Sequence, residues 1–430
     1  MIQSKIAGRK YLILTLFISI VCLSKAYAQE GDMGYTNYDI DALQPFKISN
    51  GNNVVKIGTI FSTYLDLRQY PTGATPDYTK NTMKLKDARL DINGKSGENY
   101  EYHLQLDFAG WGNTYAPDGG PLDDANITYK GLKKLFKIKI GYGKVPYSLS
   151  SLVEHFESPY WERPQVSKGD FFSRRDLGIT LKRSFWNGRI RAAAGAYTGV
   201  GEVVLGGTND PSGKFEYIGR IEASYPEDHN EEVIDVNKLS TPNVSIGLNA
   251  RYSNRSLPAG TAFLDGETGG MLNGSDTALE LKVINGKKFL YGGDISIEYM
   301  GFSAQFETNL MKGTPVNSND PHLMNLPKSS TGGYFNAGGW YVQANYFSKA
   351  IRTIISARYD EMNANDLVKG VTQHSAAALC YQLKGYNSML KFQIDHSLQF
   401  NSSTLKYGGE SINTTKSENE FRIGWQLVID

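Results

Sequence analysis

Few side chains in this sequence are of types that carry covalent chemistry, and their spacing argues against it. There is no glycine-rich phosphate loop, no His-Glu-x-x-His helix and no Cys-x-x-Cys pair, so nucleotide and zinc chemistry have no anchor. The six histidines are scattered. His155-Phe156-Glu157 puts two metal-ligand types on one face of an extended segment, as does His103 with Asp107, but two ligands do not make a site. Asp395-His396-Ser397 has the composition of a hydrolase triad. In a strand, however, His396 faces away from both neighbours and the three side chains diverge. The expectation is no enzyme, no metal and no cofactor, and attention moves to the charges and to what holds them.

From Val54 onward every second residue is apolar over many short stretches. Val55, Ile57, Thr59, Phe61, Thr63, Leu65 and Leu67 form one parity, while Lys56, Ser62, Asp66 and Arg68 fill most of the other. Tyr100, Tyr102, Leu104, Leu106 and Phe108 oppose Glu101, His103, Gln105 and Asp107; Phe136, Ile138, Ile140 and Tyr142 oppose Lys137 and Lys139; Phe421, Ile423, Trp425, Leu427 and Ile429 oppose Glu420, Arg422 and Gln426. This is the pattern of strands with lipid on one face and water on the other. A lysine or arginine turned toward lipid at mid-membrane costs about 2–4 kcal/mol, which fixes the apolar parity as outward. Unpaired backbone groups in hydrocarbon are so costly that such a sheet must close on itself.

About sixteen strands can be drawn, at 54–68, 83–95, 99–109, 122–131, 134–143, 175–184, 188–197, 214–225, 242–254, 287–299, 301–311, 338–347, 350–360, 371–384, 387–400 and 417–429. The fold class is therefore all-β, an antiparallel transmembrane barrel. Tight connections such as Ser96-Gly97-Glu98, Phe185-Trp186-Asn187 and Met300-Gly301 alternate with long ones, and only 226–241 breaks that rule. Short turns are expected in the periplasm and long loops outside.

The compartment follows from the first residues. Lys5, Arg9 and Lys10 precede the apolar run Tyr11 to Leu23 and then Ala26-Tyr27-Ala28, which reads as a secretory signal peptide over 1–28. Residues 29–53 read as a polar, aperiodic periplasmic lead-in, and 54–430 as the barrel. Removing 1–28 removes Cys22, one of two cysteines, and leaves Cys380 without a disulfide partner. It also removes four basic residues, so 41 basic remain against 44 acidic, a net of −3 that by itself favours no anion. The inward parity carries both signs: Asp66, Asp87, Asp91, Asp107, Asp124, Glu216, Glu222, Asp294, Glu307, Asp360, Asp395 and Glu420 among the acids, and Lys56, Arg68, Arg89, Lys130, Lys137, Lys139, Lys182, Arg191, Arg220, Arg251, Arg358, Lys391 and Arg422 among the bases. Lys133-Lys134 and Lys287-Lys288 sit at strand ends and meet solvent or lipid phosphate rather than nucleic acid.

A barrel of sixteen strands is too wide for its side chains to fill, so it holds a water channel unless a loop narrows it. The candidate is 144–174, which mixes Phe156, Tyr160, Trp161, Phe171 and Phe172 with Glu162, Arg163, Lys168 and Arg174. Aromatics hold such a loop to the wall while charges face the passage. Two other readings stay open: a plugged barrel acting as an adhesin or surface receptor through loops such as 255–286 and 312–337, and a barrel enzyme.

Several segments resemble the phosphate-selective porin O/P family. They are Lys86-Asp87-Ala88-Arg89-Leu90-Asp91, Tyr100 to Gly110, Leu122 to Tyr129, Ile140-Gly141-Tyr142-Gly143-Lys144-Val145-Pro146, Trp161-Glu162-Arg163, Arg174-Arg175-Asp176-Leu177-Gly178, and later Gly339 to Phe347 and Ala357 to Asp360. The resemblance implies a sixteen-stranded outer-membrane porin, usually a homotrimer, with an inward loop and a basic lining that passes small hydrophilic solutes or anions such as phosphate. It implies a constriction role for Lys144, Arg163, Arg174 and Arg175 and a wall role for Arg89. The chain departs from the pattern in ending on Asp430 rather than an aromatic.

Overall fold

A computed structural model describes residues 44–69, 79–109, 121–132, 136–167, 172–199, 201, 213–228, 233–255, 286–315, 334–363, 371–400 and 416–429, with four short strand pieces between 262 and 284. The expected signal peptide, all of 29–43, much of the long loops, Lys168, Phe171 and Asp430 lie outside the described residues. The chain begins with a short strand β1 (Phe46–Asn50). Sixteen long strands then run in order: β2 (Asn53–Gln69), β3 (Thr79–Ser96), β4 (Tyr100–Asp107), β5 (Leu122–Tyr129), β6 (Lys137–Lys144), β7 (Arg175–Phe185), β8 (Ile190–Tyr197), β9 (Glu216–Tyr225), β10 (Asn243–Asn254), and, after the small pairs β11 (Ala262–Leu264) with β12 (Met271–Asn273) and β13 (Ala278–Leu279) with β14 (Val283–Ile284), β15 (Gly286–Tyr299), β16 (Phe302–Pro315), β17 (Phe335–Ser348), β18 (Thr353–Asn363), β19 (Val371–Lys384), β20 (Ser388–Phe400) and β21 (Lys416–Ile429).

Each long strand pairs antiparallel with its neighbours in sequence, and β21 returns to β2 from Thr59↔Ile429 to Gln69↔Asn419. The sheet is closed, which removes the free edges that hydrocarbon does not tolerate. β21 stops at Thr59, so the first residues of β2 would lack a partner on that side. β1 supplies it, pairing Phe46↔Ile57 through Asn50↔Asn53 around a turn in which Gly51 has φ 58°. Residues 46–50 of the expected aperiodic lead-in are therefore strand, recruited by an edge that local sequence pattern does not reveal.

The packing is that of a soluble protein turned inside out. Along β10, Asn249 and Arg251 are 6% and 1% exposed while Ile246 and Leu248 are 53% and 61% exposed, and β15 repeats the alternation with Lys288, Asp294 and Ser296 inward and Phe289, Ile295 and Ile297 outward. Outward aromatics touch across strands, as in Phe61 with Trp425, and Trp340 with both Phe306 and Tyr359. The tightest turn follows from its residues. Met300 and Gly301 both have positive φ (51° and 88°), the two-residue hairpin geometry that suits the right-handed strand twist. Tyr142, assigned to lipid, is 5% exposed, and it lies between Gly141 and Gly143, both with positive φ.

Among the described residues, two stretches leave the wall and enter the lumen. One is 145–167, after β6. The other is 233–239, between β9 and β10, where Val233, Ile234 and Asp235 are buried.

Candidate functional site

The inward loop starts where β6 ends. Gly143 has φ 157°, and a Cβ there would meet Asp124 Oδ1 at 2.4 Å, so glycine leaves that carboxylate in place as the chain turns in. Tyr147 then packs edge-on to Phe172 at 4.7 Å, with the Arg251 guanidinium over both rings. A single helical turn α1 (Leu149–Leu152) and a 3₁₀ turn at Gln165–Ser167 are the loop's regular structure.

Irregular backbone inside a barrel must find partners on the wall. The N–H groups of Ser148, Ser150, Trp161 and Gln165 donate to Asn249, Glu307, Gln393 and Asp360 at 2.7, 3.0, 2.7 and 3.1 Å. The carbonyls of Phe156, Ser158 and Glu162 accept from Gln426, Lys391 and Arg358 at 2.8, 2.7 and 2.9 Å. Aromatic anchors add apolar contact: Phe156 against Ile60 and Val428, Tyr160 against Ala376 and Ala378, and Trp161 on Tyr64 at 4.9 Å. All these partners lie on β2, β10, β16 and β18–β21, so the loop covers that side of the lumen.

The charges gather on the opposite side. Arg89 Nε lies 3.0 Å from Asp87 and 3.1 Å from Asp107, and its Nη1 bonds Asp123 and, at 2.9 Å, Gln105. Arg175 Nη1 reaches the other oxygen of Asp123 at 3.1 Å, and its Nη2 reaches Asp124 at 3.0 Å. Lys144 bonds Glu154 and, at 2.7 Å, the Leu152 carbonyl; Arg163 donates to the carbonyls of Ser150 and, at 2.8 Å, Val153. Arg174 is half-buried and has no carboxylate within ion-pair distance among the described residues. Arg163 lies in the field of Arg174, Arg175 and Arg89, so the structure brings all five expected cations into one cluster. They differ in kind. Arg175 is buried, with a side chain 2% exposed, whereas Arg89 and Lys144 keep 10% and 16% and Arg174 is half-buried.

Two loop groups show how the cluster acts on its neighbours. Burial opposes the charge of Glu154, but Lys144 and Arg175 outweigh it and hold the carboxyl below its ordinary range. Burial pushes His155 down to about 4 although its Nε2 lies 2.7 Å from Asp87, with Arg89 acting in the same direction as burial.

Asp123 is a site residue that strict alternation misses. β4 and β5 shift register between Gln105↔Asp124 and Leu106↔Leu122, leaving Asp123 as an extra bulged residue, and both aspartates turn inward onto arginines. Lys86 is bulged in the same way between Ser62↔Asp87 and Thr63↔Leu85, and it reaches Glu162 of the loop at 3.1 Å. The signal was present: two adjacent charges within one membrane strand cannot both face water without a bulge.

Between the loop and β4–β9 lies a cavity of about 1100 Å³. Lys137 and Lys182 sit directly opposite each other in the ladder and Lys139 is the next inward residue, all three lining this space with Lys144. Opposed like charges weaken a ladder, which makes them costly unless something else uses them. Lys139 donates to the Lys144 carbonyl at 2.8 Å, and neither Lys137 nor Lys139 has a carboxylate within ion-pair distance among the described residues. Three other cations at the cavity are matched, Lys130 by Glu101, Arg191 by Glu222, and Arg220 by Glu222 and Asp294, while Arg183 lies over the rings of Phe136 and Phe185.

The pairings weighed for other chemistry come apart. His103 bonds Asp91 at 2.7 Å while Asp107 serves Arg89, and His155 meets Asp87 while Phe156 is core. Asp395 accepts from Gln393, Arg422 and His374 inside, whereas His396 meets Asn419 on the exposed side. Among the described residues no three metal-ligand side chains gather.

A closed sixteen-stranded barrel with an apolar outer face, a polar lumen and an inward loop defines a transmembrane β-barrel with the fold of porins. Residues 61–199 match the family model of phosphate-selective porins O and P, so the family's signature is carried over β2 to β8 and the inward loop; the later resembling segments, 339–347 and 357–360, lie beyond the matched stretch. Solved structures give the same architecture. The anion-selective porin from Comamonas acidovorans aligns at TM-score 0.55 and 10% identity, covering 88% of this chain and 100% of its own. OmpT, expressed in the outer membrane of Vibrio cholerae, aligns at 0.52 and 11%, covering 89% and 100%. The outer-membrane channel DcaP of Acinetobacter baumannii aligns at 0.51 and 10%, covering 90% and 100%. At these identities the likeness concerns the fold. A comparison with curated proteins returned no match.

Proposed function

We propose that this chain is a passive diffusion channel for small hydrophilic solutes, that its passage runs between the inward loop and the β4–β9 wall, and that it prefers anions. The observation that carries the reading is the placement of charge. Where the loop is anchored, cations are matched by carboxylates or carbonyls; along the cavity, Lys137 and Lys139 have no carboxylate within ion-pair distance among the described residues. Such a surface attracts anions without binding them tightly, as conduction requires. The similar barrel from Comamonas acidovorans is described as anion-selective, which agrees with this reading. Small oxyanions, phosphate among them, are the solute class that lysine ammonium groups suit. Assembly as a homotrimer and export by cleavage after residue 28 belong to the same proposal; one V. cholerae relative in fold was solved in trimer form.

The test is conductance in planar bilayers under a salt gradient. A reversal potential on the anion side, with chloride current reduced by added phosphate, supports the proposal. Ion current with cation preference removes the anion part, and no current from folded protein removes the channel.

A further inference from the structure

The second inward stretch is bonded into the lumen as firmly as the first. Asn345 Nδ2 and Ser303 Oγ donate to the Val233 carbonyl at 2.9 and 2.8 Å, and both residues are inward and buried on β17 and β16. Asp235 ties the stretch to the wall's lower rim: its carboxylate accepts from the N–H of Leu239 at 3.0 Å and of Gly301, in the β15–β16 turn, at 2.7 Å. Leu239 returns its carbonyl to Met300 N at 2.9 Å.

Above it lies the inward loop. Val233 and Ile234 form one buried apolar cluster with Leu149 and Val153 of the loop and with Phe347, Ile354, Cys380 and Met389 of the wall. A hydrogen-bond chain runs beside it. Asn345, which holds Val233, accepts at Oδ1 from Ser356 Oγ at 2.6 Å, and Ser356 Oγ lies 2.7 Å from the hydroxyl of Tyr160 at the loop's far side. The loop therefore meets a floor built from the short-turn end of the barrel.

We infer that residues 233–239 are a second constriction element, with Asp235 as its positioning residue, which holds the inward loop against the β16–β20 wall and confines solute to the lysine-lined side. The inference rests on the channel reading above. It explains why the one connection too long for its end of the barrel is folded inward, and it makes pore cross-section depend on residues that touch no solute. A barrel this wide would otherwise leave open space under the loop.

The test uses the full chain in planar bilayers and in liposome swelling with sugars of increasing size. Asp235→Ala frees the segment; Ile234→Ala is a milder variant that keeps every hydrogen bond and removes only apolar volume under the loop. Expected are a rise in single-channel conductance of about twofold or more for Asp235→Ala, since current follows open cross-section, entry of sugars that wild type excludes, and a smaller shift in the same direction for Ile234→Ala. The anion-to-cation ratio falls as the new space opens away from the lysines. A folded variant pair with wild-type conductance and wild-type size cut-off overturns the inference while leaving the channel intact. Should Asp235→Ala not fold, Ile234→Ala decides alone by the same two readings. A wild-type barrel that passes no ions overturns both readings together.

Discussion

Reversing one charge on the lysine track is the most direct probe of where solute passes. Lys139 lines the cavity, its ammonium is 2.8 Å from the Lys144 carbonyl, and it stands one inward step from the opposed pair Lys137 and Lys182. For an ion about 7 Å from the ammonium in water, a unit charge contributes about 0.6 kcal/mol. Lys139→Glu changes that charge by two units and acts oppositely on anions and cations. With a Debye length of about 10 Å at 0.1 M salt, roughly half of the interaction survives screening, and the anion-to-cation permeability ratio should fall about eightfold. Lys139→Gln should give about the square root of that, near threefold. At 1 M, where the Debye length is about 3 Å, both effects should shrink below about twofold. The glutamate is tolerable because Lys137 and Lys182 stand beside it, so the barrel should fold. Reversal potentials at the two salt concentrations measure all of this. A folded, conducting Lys139→Glu channel whose ratio at 0.1 M equals that of wild type would refute the reasoning, because it would place the passage away from β6 and β7.

Arg174 and Arg175 are adjacent in sequence but should respond differently. Arg174→Glu should lower the anion-to-cation ratio with the melting temperature kept, whereas Arg175→Gln, which strips a buried partner from Asp123 and Asp124, should destabilise the barrel by about 3–5 kcal/mol; reversal potential and thermal unfolding in detergent separate the two. Trp161→Ala removes the contact on Tyr64 and the ring under Lys391, a loss of about 3–5 kcal/mol of loop anchoring. Single-channel records of the variant should then become noisy, and a variant record as quiet as wild type would mean that the loop is held elsewhere. Acid should loosen the loop at His155. Its folded value of about 4 lies below the ordinary 6.5, so the unfolded or detached loop takes the proton first and stability falls as pH drops through that window, by about 3 kcal/mol in all. Current noise should rise as pH falls from 6.5 to about 4, the window bounded by those two values, and His155→Gln should abolish the rise.

The wall was legible because period-two alternation is enforced by lipid on every strand. Ile246, Leu248 and Tyr252 could face only outward and Arg251 only inward, and the sixteen strands followed from that rule. Alternation fails where a bulge inserts a residue. Asp123 and Lys86 were hidden for that reason, although each stands next to an inward aspartate. The edge left by β21 at Thr59, which β1 covers, depends on where strands end and is not visible in any local window. For the cation cluster, sequence marked the residue types and the loop that carries Arg163 and Arg174. It could not separate Arg175, matched by two aspartates, from Arg174, matched by none among the described residues, because the matching is decided by register between β4, β5 and the loop.

The division of the lumen has a physical origin in the loop's own backbone. A segment without regular structure brings unsatisfied N–H and C=O groups, and these must be met by wall side chains whose charges are then consumed: Glu307, Asp360, Arg358, Lys391 and Gln393 all point at loop backbone. The half of the barrel that anchors the loop therefore loses the charge it could offer a solute. The other half keeps more of it, and there Lys137 lines the cavity with no carboxylate within ion-pair distance among the described residues. Charge preference and pore position are in this view one consequence of folding a loop inward to one side. Moving the loop's anchors across the barrel would move the passage and alter its preference together, even with every lysine left in place.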